Sequence, residues 1–171
     1  PFIFLLMSDS PVGVVLTDTH LYHNVAVTGM VDYETVLIPT DGSHSAERGI
    51  EHGLGIAGDN GAVVHFVHII DESRHGTTPA LSNSALAPEE LEEEADSELT
   101  ELIEQAEAHG IDAETYFHRG FPHEEIVEYA ESIDADVIVM GKHGSGGSET
   151  PHVGSVADRV LRTAECPVFT V

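Results

Sequence analysis

Basic residues are what this chain has least of: 6 lysines and arginines stand against 31 aspartates and glutamates, giving a formal charge of −25. Lys142 is the only lysine. So much like charge argues against nucleic acid and anionic membranes as partners, since both are phosphate polyanions. Cysteine is nearly missing as well. Cys166 stands alone, so there is no disulfide framework, which fits a reducing, cytoplasmic compartment. Its setting, AECPVFTV, reads as a helix end entering a strand, and Cys166 as a buried structural thiol rather than a nucleophile. No apolar run approaches the roughly 20 residues of a membrane span. The opening PFIFLLM is apolar but short, and the first positive residue is Arg48, so it makes a poor secretory signal. Residues 1–29 lack periodicity and read as a disordered leader or an extension upstream of the natural start; residues 31–171 read as one domain.

Disorder is the simple reading of extreme charge, but 41% of the residues are apolar and they fall in periodic blocks. The composition therefore fits a folded protein with a salt-adapted, halophilic acidic surface. At low salt its like charges repel and loosen the compact state; near 1 M salt the screening length falls to about 3 Å and the repulsion largely disappears.

From Met30 onward strand and helix signals alternate. ETVLIPT is an apolar run closed by turn chemistry in TDGSHS, and Ala46, Ile50, Leu54 and Ala57 follow at helical spacing, with Ser43 and Ser45 both candidate caps. GAVVHFVHII has the near-continuous apolar character of a strand covered on both faces. Residues 71–88 read as a long polar loop. A second helix starts near Pro88, a favoured first position; Leu91, Ala95, Leu99, Leu102, Ile103 and Ala106 form its apolar stripe. Ten carboxylates and no base lie between Glu89 and Glu107, which a solvated face explains. IDAETYFHRG is a third strand with rough alternation. Pro122 opens a third helix with Ile126, Val127 and Ala130 inward, and ADVIVMG is a buried fourth strand. Val156, Val160 and Leu161 mark a fourth helix before a last strand, PVFTV. There is no internal repeat. The pattern predicts an α/β fold with a five-stranded parallel sheet and helices on both faces.

In such sheets ligands sit beyond the carboxyl ends of the strands, where strand order reverses. Two segments there are unusual: PTDGS, from Pro39 to Ser43, and the loop VMGKHGSGGSETPHVGSVADRV. The loop carries Gly141, Gly144, Gly146, Gly147 and Gly154, then Ser155. Glycines let backbone N–H groups turn toward a ligand, and Gly154-Ser155 opens a helix whose free N–H groups attract anions. Ser155 and Asp158 have capping-box spacing; the Ser155 hydroxyl is a candidate cap or phosphate donor. A Walker pattern is missing, since Lys142 directly follows Gly141. Nor is this the dinucleotide fingerprint, because Glu149 stands where its third glycine belongs. PTDGSHS also lacks the SGGxDS pattern of adenylating enzymes. Asp41 has two readings, a cap for the following helix or a ligand contact at the switch point.

Gly141-x2-Gly144-x9-Gly154-Ser155, set between DVIVMG and VADRVLRTAECPVFTV, resembles the ATP-binding signature of universal stress proteins. The resemblance runs on through VLIPTDGS, FVHIID and RGFPHEEIVEYA. It implies a flavodoxin-like, Rossmann-like open sheet of order 3-2-1-4-5, with Asp41 beside the glycine loop. It implies a nucleotide site to which the turn contributes Pro39, Thr40 and Asp41, with Asp41 near the ribose or a metal. Ile69 and Met140 would flank the adenine. Gly141, Gly144, Gly154, Ser155 and Val156 would hold the ribose and phosphates, chiefly by backbone amides. It further implies a homodimer through the last strand, ATP or AMP/ADP as ligand, and an unidentified protein partner in the stress response.

One departure from that pattern matters: no lysine or arginine lies between Gly144 and Gly154. Triphosphate charge must then be offset by amides, by Mg²⁺ or Mn²⁺, or by salt, and affinity should be lower than a basic loop gives. Asp41, His143 and Glu149 are the only groups that could position an attacking water, so hydrolysis, if any, should be slow. A slow ATPase or nucleotidyl transferase and a nucleotide-free interaction module remain as alternatives to a nucleotide switch. A receiver domain fits less well, since VLIPT supplies no acidic cluster beside Asp41. Among the 12 histidines, His65 and His68 are three apart on a strand and point to opposite faces, so they cannot chelate together; no zinc site is expected.

Overall fold

A computed structural model of the chain describes residues 32–71, 88–145 and 152–171. The predicted leader and most of the polar loop over 71–88 lie outside these, as do residues 146–151 of the glycine loop. From Tyr33 to Val171 the chain forms one compact unit. Its elements are β1 (Thr35–Thr40), α1 (His44–Asn60), β2 (Val63–Asp71), α2 (Pro88–Ala108), β3 (Ala113–Gly120), α3 (Pro122–Ser132), β4 (Val137–Met140), α4 (Ser155–Thr163) and β5 (Val168–Thr170). The strands form one parallel sheet in the order β3-β2-β1-β4-β5. This is the expected flavodoxin-like arrangement. The order reverses between β1 and β4, which pair through Val36 with Val137 and Leu37 with Ile138.

The central strands alternate between two apolar layers. Val36, Ile38, Val64, Phe66, Val137 and Val139 pack under α1 and α2; Leu37, Val67, Ile69, Ile138 and Met140 pack under α3 and α4. Phe66, Leu37, Ile38 and Ile138 are fully buried, each such side chain stabilising the fold by about 1.5–3 kcal/mol. β4 is buried along its length and β1 from Val36 onward, whereas β3, on the sheet edge, has several exposed positions. His65 and His68 fall on opposite faces, as their spacing requires. His65 is buried, with Nδ1 3.1 Å from the Tyr129 hydroxyl on α3, and Tyr129 stacks on Tyr116 at 4.0 Å between centroids. Burial lowers the pKa of His65, outweighing the opposite pull of Glu114. Burial, with Glu114 and Tyr116 nearby, raises that of Tyr129.

Helix ends follow local chemistry with one correction. Ser43, not Ser45, caps α1: its side chain accepts from Ala46 N at 3.2 Å, and Gly61 closes the helix at φ 69°. At α4 the predicted Ser155–Asp158 capping box does not form. Gly154 is the N-cap and Ser155 is already the first helical residue, so the pair is one position out of frame; Asp158 instead binds Arg162 one turn on at 3.0 Å. The buried face of α4 is Ala157 and Val160, while Leu161 is 43% exposed, so Leu161 does not belong to the inward stripe. Cys166 is half-buried rather than buried, packed at the edge of the α3–α4 layer. Burial pushes its thiol pKa up, which favours the unreactive thiol. Among the described residues no helix is long and apolar enough to cross a membrane.

Candidate functional site

The turn after β1 is built from its own side chains. The Thr40 hydroxyl accepts from Gly42 N at 3.2 Å, and Gly42 takes φ 68°, a left-handed conformation suited to glycine. Asp41 Oδ1 accepts from Ser43 N at 3.2 Å. Its other oxygen reaches across the switch point and accepts from Ser145 N at 2.7 Å. Asp41 therefore does not cap α1; it clasps the loop after β4.

The described part of that loop is held by backbone and side chains together. Lys142 N donates to Val171 O at 2.8 Å and Gly154 N to Lys142 O at 2.9 Å. Ser45 Oγ, the rejected cap, accepts from His143 N at 3.1 Å, and His143 Nε2 donates to His152 O at 2.7 Å. Gly141 serves a purpose the glycine pattern did not reveal. A Cβ there would lie 2.5 Å from the Ser45 carbonyl, and one at Gly49 would lie 2.9 Å from Gly141 N. The two glycines let the start of α1 rest against the end of β4. At Gly144 a Cβ would meet the Asp41 carboxylate at 2.7 Å. Among the described residues no side chain caps α4, and the first-turn N–H groups and positive dipole end of the helix are of the kind that attract anions.

All ten site residues named from the sequence line one cleft of about 350 Å³. Pro39, Thr40 and Asp41 come from β1 and its turn, Ile69 from β2 and Met140 from β4, while Gly141, Gly144, Gly154, Ser155 and Val156 come from the loop and the start of α4. The size suits a small ligand. Among the further walls that sequence reasoning missed are His68, Leu91, Pro122 and Ile126. Nothing local marks them, apart from the adjacency of His68 to Ile69. It also missed Glu98, read with its neighbours as part of a solvated face. Glu98 turns inward instead: Oε1 accepts from the Thr40 hydroxyl at 2.6 Å and Oε2 lies 2.9 Å from His68 Nδ1. Burial works against its charge, but the His68 and Thr40 hydrogen bonds more than offset it, and the pKa lies below the usual value. Among the described residues no three His, Cys, Asp or Glu are grouped to hold a metal.

A doubly wound parallel sheet with a cleft at its switch point, lined on one side by Gly141, Gly144 and the Gly154 start of α4, defines a flavodoxin-like α/β domain. The chain belongs to the universal stress protein family, whose pattern matches residues 32–171. It is 36% identical over 152 residues to the universal stress protein MJ0531 of Methanocaldococcus jannaschii, covering 89% of each chain. The solved structure of MJ0577, a universal stress protein of the same organism, superposes with a TM-score of 0.72 at 31% identity, covering 82% of this chain and 96% of that one. A universal stress protein solved in complex with cAMP superposes with a TM-score of 0.60 at 25% identity, covering 82% and 98%.

Proposed function

We propose that this universal stress protein binds an adenine nucleotide, ATP or its mono- or diphosphate, in the switch-point cleft and acts as a dimeric, nucleotide-responsive module in the cytoplasm. The observation that carries this reading is the convergence, in one cleft, of the Asp41 carboxylate, the apolar walls Ile69 and Met140, and the uncapped start of α4. The cAMP complex of a relative supports an adenine nucleotide as the ligand class. Ribose hydroxyls suit Asp41, a planar base suits the apolar walls, and phosphates suit the Ser155 and Val156 amides at the start of α4. With a single lysine in the chain, Mg²⁺ or Mn²⁺ would enter with the phosphates rather than on a protein ligand set. The short β5, at the sheet edge with Phe169 43% exposed, is the surface for a homodimer.

Binding is favoured over turnover because two of the three candidate bases, Asp41 and His143, are engaged in hydrogen bonds, while Glu149 lies outside the described residues. Both Asp41 oxygens accept backbone N–H groups, and His143 Nε2 is used on a carbonyl. The test is calorimetry of ATP with the full chain in molar KCl, with and without Mg²⁺, against a Gly154→Val/Ser155→Ala control. Saturable binding, strengthened by Mg²⁺ and lost in the control, is expected. No binding by a folded chain would mean that the cleft serves another ligand.

A further inference from the structure

Glu98 is the one side chain of α2 with hydrogen bonds to both central strands at the floor of the cleft, among the described residues. Thr40 and His68 are register partners at the carboxyl ends of β1 and β2, and one carboxylate bridges them. The direction of the bonds can be worked out. The Thr40 oxygen accepts from Gly42 N, so its single proton goes to Glu98, which acts as acceptor. A Glu98 carboxyl held in its ionised form makes His68 Nδ1 the donor on the other arm. This fixes the imidazole by one nitrogen and leaves Nε2 as its remaining polar atom, on a side chain that lines the cleft.

The chain of contacts then runs from α2 to the loop. Glu98 orients the Thr40 hydroxyl, Thr40 holds Gly42 N, and that turn aims Asp41, whose carboxylate holds Ser145 N. The Glu98 carboxylate also comes within 3.7 Å of where a Cβ on Gly42 would stand, so the turn and the carboxylate fit closely. The side chain is only 25% exposed, unlike a solvated helix carboxylate.

We infer that Glu98 is a positioning residue for the cleft: through Thr40 and His68 it sets the Asp41 turn and one imidazole wall, so that nucleotide affinity depends on a side chain of α2. This rests on the nucleotide-binding reading above. Nothing in the local sequence distinguishes Glu98 from the nine other carboxylates between Glu89 and Glu107; its role comes from where the fold places it.

The test compares Glu98→Ala, Glu98→Gln and the exposed neighbour Glu101→Ala in the full chain in molar KCl, with Mg-ATP as the probe. Glutamine keeps an acceptor for Thr40 and a polar group for His68, so it separates positioning from charge. We expect Glu98→Ala to weaken ATP binding about tenfold. Glu98→Gln should stay within about threefold of wild type, and Glu101→Ala should be unchanged. In the ligand-free protein, amide NMR should show the Gly42 and Ser145 resonances displaced in Glu98→Ala and restored in Glu98→Gln. The wild-type His68 ring should carry its proton on Nδ1. The inference is overturned if Glu98→Ala lowers only the melting temperature while the folded fraction binds ATP as wild type does, or if the Gly42 and Ser145 amides do not move. Failure of the wild type itself to bind ATP would overturn the nucleotide reading, and this inference with it. That outcome is visible before any variant is made.

Discussion

The two loops that meet at the switch point are made in opposite ways. After β1, a short turn is fixed by side chains: Thr40 on Gly42 N, Asp41 on Ser43 N and Ser43 on Ala46 N. After β4, the described part of the longer loop is fixed by close backbone approach at Gly141, by main-chain bonds from Lys142 N to Val171 O and from Gly154 N to Lys142 O, and by two side chains lent from the other side of the switch point, Asp41 of the first loop and Ser45 at the start of α1. The first loop thus supplies polar side chains and the second supplies amides. The described part of the second loop therefore takes its shape in part from its neighbour.

The sharpest way to break this contrast is to put a side chain where only backbone fits. Gly141→Ala drives a methyl into the Ser45 carbonyl, and overpacking against backbone should destabilise the fold by about 3 kcal/mol, read as a loss of urea midpoint in molar KCl. Gly144→Ala meets only the carboxylate end of Asp41, so stability should fall by far less than in Gly141→Ala while ATP affinity drops. Equal losses of stability at the two glycines would erase the distinction. Next in size, Ser43→Ala removes the α1 cap and Ser45→Ala removes a bond to the loop. Each should cost about 1 kcal/mol, but only Ser45→Ala should speed amide exchange at His143.

A pH titration tests the opposite layer of the sheet. His65 has its folded pKa lowered below 6.5 by burial, so the unfolded chain binds the proton more readily. Its contribution is therefore fully present above about pH 6.5 and is lost as pH falls through that value toward the folded pKa. His65→Phe should flatten this part of the melting-temperature profile. Smallest of all is the exposed Asp158–Arg162 pair: Asp158→Ala should leave the melting temperature in molar salt within error.

The fold could be read from the chain because its evidence is local. Runs such as VLIPT and DVIVMG, the helical spacing of Ala46, Ile50, Leu54 and Ala57, and Pro88 and Pro122 at helix starts each announce an element within a few residues. The cleft was legible through its glycine spacing and the adjoining segments that carry the family resemblance. What stayed hidden depends on tertiary distance or on a single residue of frame. Glu98 lies 58 residues from Thr40, and nothing in an acidic helix tells which carboxylate turns inward. Ser155 and Asp158 have the spacing of a cap, yet Gly154 takes the cap position. Ala157 rather than Leu161 faces the core because α4 is rotated to bring Val160 under the sheet, and hydrophobicity alone ranks those two the other way.

The clasp between Asp41 and Ser145 joins residues 104 positions apart, and the Ser45–His143 bond spans 98. During synthesis the first loop emerges long before the second exists, and β1 must wait for β4 to arrive beside it. The cleft is thus a late product of folding, assembled from contacts whose loop-closure entropy is among the largest in the chain. A ligand that recognises both loops finds no partial site on the unfolded chain. It should slow unfolding without hastening folding, so a bound nucleotide would act as a kinetic seal on a finished molecule rather than as a template for making one.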